Sequence, residues 1–318
     1  MSTVDVLAIG ESLGLVVPES TGRLAHARGA RVGFGGAESN VAIGVARLGG
    51  AAAWTGRVGA DGLGELIVRE IRAEGVQVHA VVDAEAATAL MIKERPRPGS
   101  SRVTYYRSVQ AGSRLVPSDI APGLVERARI VHVTGISAGL GESPLSAVHE
   151  AVERARAAGV LVSFDVNHRS ALWRDGRDAR AAYRALAARA DVVFAGDDEA
   201  ELLTGERGAR AQLDAIRALG PRCAVVKRGS AGAIADEDGE IVERDALRVD
   251  VVDTVGAGDA FVAGWLAETA VGATLNTRID TAVACGAAAC TGAGDWEASP
   301  TRADLSALAA PSGDPVQR

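Results

Sequence analysis

Lysine is nearly missing from this chain of 318 residues, occurring only as Lys93 and Lys227. A Walker-type phosphate loop needs a lysine after glycine and directly before serine or threonine. Lys93 precedes Glu94 and Lys227 precedes Arg228, so that loop is excluded. The dinucleotide fingerprint Gly-x-Gly-x-x-Gly is missing as well. The first apolar run, "VLAIG", continues as "ESLGLV", and after Gly256 and Gly258 the third glycine position holds Phe261. Cysteine is scarce: Cys223, Cys285 and Cys290 form no Cys-x-x-Cys pair. An odd number of thiols, with no basic segment and apolar run at the N-terminus, leads us to expect reduced cysteines and a cytoplasmic protein. The five histidines are scattered without ligand spacing, which argues against zinc. No apolar run is long enough to span a bilayer, and "TAVACGAAACTGAG" is short and rich in alanine and glycine. The formal charge is −7 with no basic stripe or tail, so neither a nucleic acid nor a membrane surface is an expected partner.

What is present is a large globular chain, 47% apolar. "VDVLAIG" reads as a buried strand, and "AESNVAIGVARLG" from residue 37 as a helix that stops at Gly49 and Gly50. Segments 76–82, 88–95 and 102–108 read as strands with no helix between them. Beyond them, "IVHVTG", "VLVSFDVN", "DVVFAG" and "CAVVKRG" alternate with helical stretches at 144–158, 177–189 and 208–219. Strand alternating with helix predicts an α/β fold: a three-layer αβα sandwich around a mainly parallel sheet. The strands near 76–110, joined by segment 13–34, are expected to form a small β-sheet lid on one domain spanning 1–310, with a flexible tail at 311–318.

Two glycine turns carry the chemistry. "DTVGAGDAFVAG" (253–264) places Asp259 behind a bare turn at the mouth of a helix. Such a terminus is electropositive and offers free N–H groups, so it suits an anion with a carboxylate beside it. Asp259 capping that helix is the plainer alternative. "GFGGAESN" (33–40) offers close backbone approach at Gly35 and Gly36 and an amide at Asn40.

Together these stretches resemble the two signatures of the ribokinase-like, or PfkB, family of carbohydrate kinases. "GGAESNVAIGVARLGGAAAWTGRVG" (35–59) is similar to the N-terminal one and "DTVGAGDAFVAG" to the C-terminal one. The resemblance implies that Asp259 is the base that takes the sugar proton. It implies that the amides of Gly256, Ala257 and Gly258 form an anion hole for the phosphoryl group. "VVKRGSAG" (225–232) resembles the segment that lies along ATP, implying contacts from Lys227, Gly229, Ser230 and Gly232. Magnesium is implied with ATP, ordered through water by Glu199, although Gly196 stands where the family often has asparagine. Asp197 and Asp198 either share that role or form an acidic first helical turn. A monovalent cation such as potassium, held near Asp253 and Val255, is a further implication.

The substrate is read from the lid and the strand ends. In "RVTYYRS", Tyr105 and Arg107 fall on one side of a strand, and "FDVNHRSALW" sets Asn167 and Arg169 past a strand end. Two arginines converging on one pocket suit a carboxylate. These stretches look most like the family members that phosphorylate 2-keto-3-deoxygluconate. There, Gly36, Tyr105, Arg107, Arg169 and Asp295 would surround an acid sugar, while Asn167 and Arg169 also approach ATP. Met91 departs from that pattern, where a tyrosine is expected. A fructokinase or ribokinase is the nearest alternative, and a catalytically silent sugar-binding protein the alternative of another class. With aromatics at 3%, a nucleoside kinase that stacks a base is disfavoured. Lid strands in the family often pair between subunits, so a homodimer or larger assembly is expected.

Overall fold

The computed structural model describes residues 4–97, 100 and 102–309; the tail expected at 311–318 lies outside them. The chain runs β1 (Val4–Ile9), β2 (Leu13–Pro18), β3 (Ala30–Gly35), α1 (Ala37–Arg47), β4 (Ala52–Gly59), α2 (Gly62–Ala73), β5 (Gln77–Asp83), β6 (Leu90–Glu94) and β7 (Arg102–Tyr106). It continues through β8 (Ala128–Thr134), α3 (Gly135–Gly139), α4 (Glu142–Ala157), β9 (Leu161–Asp165), α5 (Ala179–Ala187), β10 (Val192–Gly196), α6 (Asp197–Thr204) and α7 (Ala209–Arg217). The last elements are β11 (Cys223–Lys227), β12 (Ala233–Glu237), β13 (Glu240–Arg244), α8 (Ala257–Ala270), α9 (Leu275–Ala289) and α10 (Arg302–Ala309).

Nine strands form the central sheet in the order β13-β12-β11-β10-β9-β8-β1-β4-β5, parallel except at the β11-β12-β13 end. Period-2 alternation sends successive side chains to opposite faces. Leu7 and Ile9 therefore join the core beneath α4, α5 and α7. Val6 and Ala8 join the core beneath α1, α8 and α9, where Trp54 and Trp265 are fully buried. Each such large apolar side chain contributes about 1.5–3 kcal/mol on burial. α8 is buried almost all round, which is why its sequence shows no polar stripe. Local signals place the helix ends: Asp61 caps α2 by accepting from the Gly64 amide (2.9 Å), and Asp178 caps α5 by accepting from Ala181 (3.0 Å). None of the described helices is long and apolar enough to cross a membrane.

The second sheet has the order β3-β2-β6-β7. It takes up the 13–34 segment, as the sequence suggests, but not the strand at 76–82. That strand is β5, which follows α2 and lies parallel to β4 at the edge of the central sheet. The helix between β4 and β5 makes them a β-α-β unit, and such a crossover returns the chain to the same sheet. The small sheet has two distinct faces. Met91, Lys93, Val103 and Tyr105 look into a large cleft, whereas Val32, Leu90 and Tyr106 line a shallow groove on the outside.

The central sheet changes direction between β1 and β8: the chain builds outward from β1 through β4 to β5, then from β8 through β11 on the other side. Open α/β sheets leave a crevice at the carboxyl ends of their strands at such a point. The cleft lies there, roofed by the small sheet.

Candidate active site

The cleft encloses about 810 Å³ and is lined by residues from both ends of the chain. Gly36 and Asn40 come from the start of α1, and Asn167 and Arg169 from the turn after β9. Lys227, Gly229 and Ser230 come from the end of β11, and Gly256, Gly258 and Asp259 from the mouth of α8. Met91, Tyr105, Arg107 and Asp295 complete the wall. Gly35 ends β3 directly against Asp295; a Cβ there would overlap the Asp295 carboxylate. Ala257 opens α8, its amide reaching the Thr254 carbonyl at 3.4 Å. Gly232 does not line the cleft: it turns the chain into β12 at φ 85°, packed against the backbone of 244–246.

Asp259 stands in the first turn of α8, where the amides of the helix mouth have no intrahelical acceptor. Gly256 makes that turn possible, because it adopts φ 76° and any Cβ would strike the Asp295 carbonyl. Both carboxylate oxygens of Asp259 are held: Asn40 Nδ2 donates to Oδ2 (2.8 Å) and Asn167 Nδ2 to Oδ1 (3.4 Å). Burial raises its pKa above the usual carboxylate range, opposed by the Asn40 bond and the charges of Arg169 and Lys227. Asn167 holds the left-handed φ of 38°, a strained position for a non-glycine residue that aims its amide at Asp259.

Arg107 is not free. Its Nη2 donates to Glu11, two residues past β1, and its guanidinium lies 5.1 Å from the Tyr105 ring centroid. Both partners are buried, and one atom of each, Arg107 Nε and Glu11 Oε1, has no hydrogen-bond partner among the described residues. Burial raises the Glu11 pKa against the pull of Arg107. Arg169 behaves differently: it is exposed in the cleft and donates only to the His168 carbonyl (3.0 Å) among the described residues. Asp295 is buried, with its carboxyl pushed up to about 7 by burial and by the charges of Asp259, Glu297 and Asp253, against the opposing charge of Lys93.

At the opposite end, Lys227 Nζ donates to both oxygens of Asp165 (2.9 and 2.7 Å), bridging the ends of β11 and β9 across β10. Burial raises Asp165; it also opposes the charge on Lys227, but the carboxylates of Asp165 and Glu199 prevail and raise that pKa. Glu199 Oε1 accepts from the His168 amide (2.8 Å) and Oε2 from the Gly196 amide (2.7 Å). Glu199 thus ties two strand ends together and keeps a lone pair on each oxygen for a water. Among the described residues no cluster of three metal-binding side chains exists. Glu199, in the cleft wall with a lone pair left on each oxygen, is an acceptor that a water of a phosphate-held magnesium ion could use.

Glu11, Asp165 and Lys93 are site residues that sequence reasoning passed over. A signal existed for the first two: each is an acid at the end of an apolar strand, "VLAIGE" and "VSFD", where an α/β sheet places its ligand. Glu38 was also passed over. It lies fully buried under the cleft, where Thr134 and Ser137 hydroxyls donate to Oε1 (2.7 and 2.6 Å). Burial pushes its pKa up to about 7.

Residues 4–302 match the family described as pfkB family carbohydrate kinase. The chain is 34% identical over 308 residues to the 2-dehydro-3-deoxygluconokinase of Bacillus subtilis, covering 96% of this chain and 95% of that one. It is 33% identical over 308 residues to a fructokinase of Klebsiella pneumoniae, covering 94% and 97%. A solved PfkB protein from a Polaromonas species shares the fold with a TM-score of 0.88 and 34% identity, covering 96% of this chain and 99% of the other. A fructokinase variant of Vibrio cholerae, solved with fructose, ADP and a potassium ion bound, gives a TM-score of 0.86 at 28% identity, covering 96% and 98%.

Proposed function

This chain belongs to the pfkB family of carbohydrate kinases, and on that premise we propose that it transfers the γ-phosphoryl group of ATP to the C6 hydroxyl of 2-dehydro-3-deoxy-D-gluconate. The products would be the 6-phosphate and ADP. Asp259 accepts the hydroxyl proton as the sugar oxygen bonds to phosphorus and the bond to the ADP oxygen breaks. A half-buried carboxylate with a raised pKa is a better proton acceptor than an ordinary aspartate, and the Asn40 and Asn167 amides fix its direction. The mouth of α8, through Gly256, Ala257 and Gly258, stabilises charge on the transferred group, which is most of what phosphoryl transfer requires. The ATP side is assigned to Lys227, Gly229, Ser230, Asn167 and Arg169. Magnesium would neutralise the phosphates, with Glu199 holding one of its waters. Gly232 supports the turn of that wall from outside the cleft. The lid is assigned to subunit pairing, giving a homodimer or larger assembly.

The observation that carries the acid-sugar reading is Arg169, a guanidinium in the cleft that pairs with no carboxylate among the described residues. Arg107 is assigned to the same carboxylate, and Gly35, Gly36, Asn40, Tyr105 and Asp295 would enclose the rest of the sugar. One observation favours a neutral ketohexose instead: Glu11 already pairs with Arg107, so of these two arginines only Arg169 stands unpaired among the described residues. ADP release with 2-keto-3-deoxygluconate, its galacto epimer, fructose, ribose and adenosine decides between them. Turnover confined to the keto-deoxy acids supports the proposal; turnover on fructose or ribose alone overturns it and leaves the kinase assignment standing.

A further inference from the structure

One of the two lysines is spent in an unusual place. Lys93 sits on the inner face of β6 and is buried with its side chain 5% exposed. Its Nζ donates to Asp253 Oδ2 at 2.6 Å, and Arg95, two residues on along the same face, reaches the same oxygen at 3.4 Å. Asp253 opens the turn that leads to the anion hole. Its Oδ1 accepts from the Val255 amide (3.2 Å), which shapes that turn. The Asp253 pKa is raised by burial but lowered further by the Lys93 bond and charge, and the net shift is downward.

A carboxylate at this point has an electrostatic cost. Asp253 lies in the half-buried turn that receives a dianionic phosphoryl group, and its charge repels that group unless it is neutralised. The resemblance to sugar kinases leads one to expect a monovalent cation beside Asp253 and Val255, and a relative holds potassium. The residues here do not fit that ion. The Lys93 ammonium already sits on the Asp253 carboxylate, and a second cation on that carboxylate would be repelled by it.

We infer that Lys93 is a built-in monovalent cation: a positioning residue that neutralises Asp253 and holds the anion-hole turn, so that phosphoryl transfer needs no potassium. The inference rests on the kinase assignment but not on the identity of the sugar. The position of the small sheet over this turn then depends on the Lys93 and Arg95 contacts with Asp253, and β6 also carries Met91 into the cleft.

The test measures kcat and KM with whichever sugar of the panel turns over, in potassium chloride and in tetramethylammonium chloride at equal ionic strength. Melting temperatures are recorded in the same salts without sugar. The wild-type protein is expected to show the same kcat and the same melting temperature in both. Lys93→Met is expected to lose at least about tenfold in kcat with little change in sugar KM. Potassium should restore part of that loss and raise the melting temperature of this variant alone. The double variant Lys93→Met/Asp253→Asn, which removes both charges, should recover activity relative to Lys93→Met and no longer respond to potassium. Activation of the wild type by potassium beyond about threefold overturns the inference. So does a Lys93→Met protein with unchanged kcat, or one whose only change is a higher KM, which would make Lys93 a substrate contact. If Lys93→Met does not fold, the wild-type salt comparison and the double variant still decide.

Discussion

Replacing Arg107 by methionine leaves the Glu11 carboxylate buried without its counter-charge, because the pair is 8% and 0% exposed. Breaking a buried ion pair from one side costs about 3–5 kcal/mol, whereas replacing both partners by apolar residues is close to neutral. For a chain of this length each kcal/mol moves the melting temperature by roughly 2 °C, so Arg107→Met should melt about 6–10 °C below wild type. Glu11→Leu/Arg107→Met should recover most of that. The sign of the pH effect follows from Glu11. Its pKa is already raised by burial, and losing Arg107 removes the charge that opposes the rise. The unpaired carboxyl then takes up a proton more readily, so the single variant is least impaired at acid pH and loses stability as pH rises. On substrate, a lost charge-assisted hydrogen bond of about 1.5–3 kcal/mol predicts a fall of roughly 10- to 150-fold in kcat/KM for the acid sugar. Any turnover of fructose should change much less. The assays are thermal melts at acid and alkaline pH, and steady-state kinetics on both sugars with all three variants. A double variant that keeps its acid-sugar kcat/KM within about threefold refutes the assignment of Arg107 to the carboxylate. Melting of Arg107→Met at the temperature of the double variant refutes the coupling to Glu11.

Asp259→Asn should lower kcat by about 10²–10⁴ with a small change in sugar KM, since the amide keeps the carboxylate's shape but cannot accept the proton; an unchanged kcat in steady-state assays would sink the base assignment. Glu38 has a folded pKa of about 7 against an ordinary 4.5, so the folded state holds the extra proton. Its contribution is fully present below pH about 4.5 and is lost as pH rises through about 7, by about 3 kcal/mol. Glu38→Gln should flatten that decline, and urea midpoints at pH 5 and pH 8 measure it. On the outer face of the small sheet Tyr106, on β7, is 53% exposed, and Val32, on β3 at the opposite edge, 57%. Tyr106→Glu should therefore shift sedimentation from an assembly to a monomer, and a wild type that already sediments as a monomer contradicts pairing through this face.

Local pattern made much of this molecule legible in advance. Short continuous apolar runs separated by helical stretches specify a parallel sheet covered on both faces, and the nine-stranded sheet has that arrangement. The glycine turn before Asp259 and the pair at 35 and 36 were readable because a turn and its helix are contiguous in the chain. One strand was misplaced: 76–82 carries the alternation of any half-buried strand, and nothing in its own residues says which sheet it joins. Its preceding helix α2 decided that by returning the chain alongside β4.

The ionic partners were legible only in part. Arginines and acids were visible as types, but Arg107 meets Glu11 across 96 residues, Lys227 meets Asp165 across 62 and Lys93 meets Asp253 across 160. Each pairing depends on which strand ends the sheet order sets side by side. The apolar patterning, the turns and the acid at the helix mouth follow from residue order alone, because steric and hydrogen-bonding rules act over a few residues. Which cations remain free to meet a substrate and which are already neutralised depends on folding, which brings distant residues together. Burial and distance set the strength of a charge, and both belong to the folded chain.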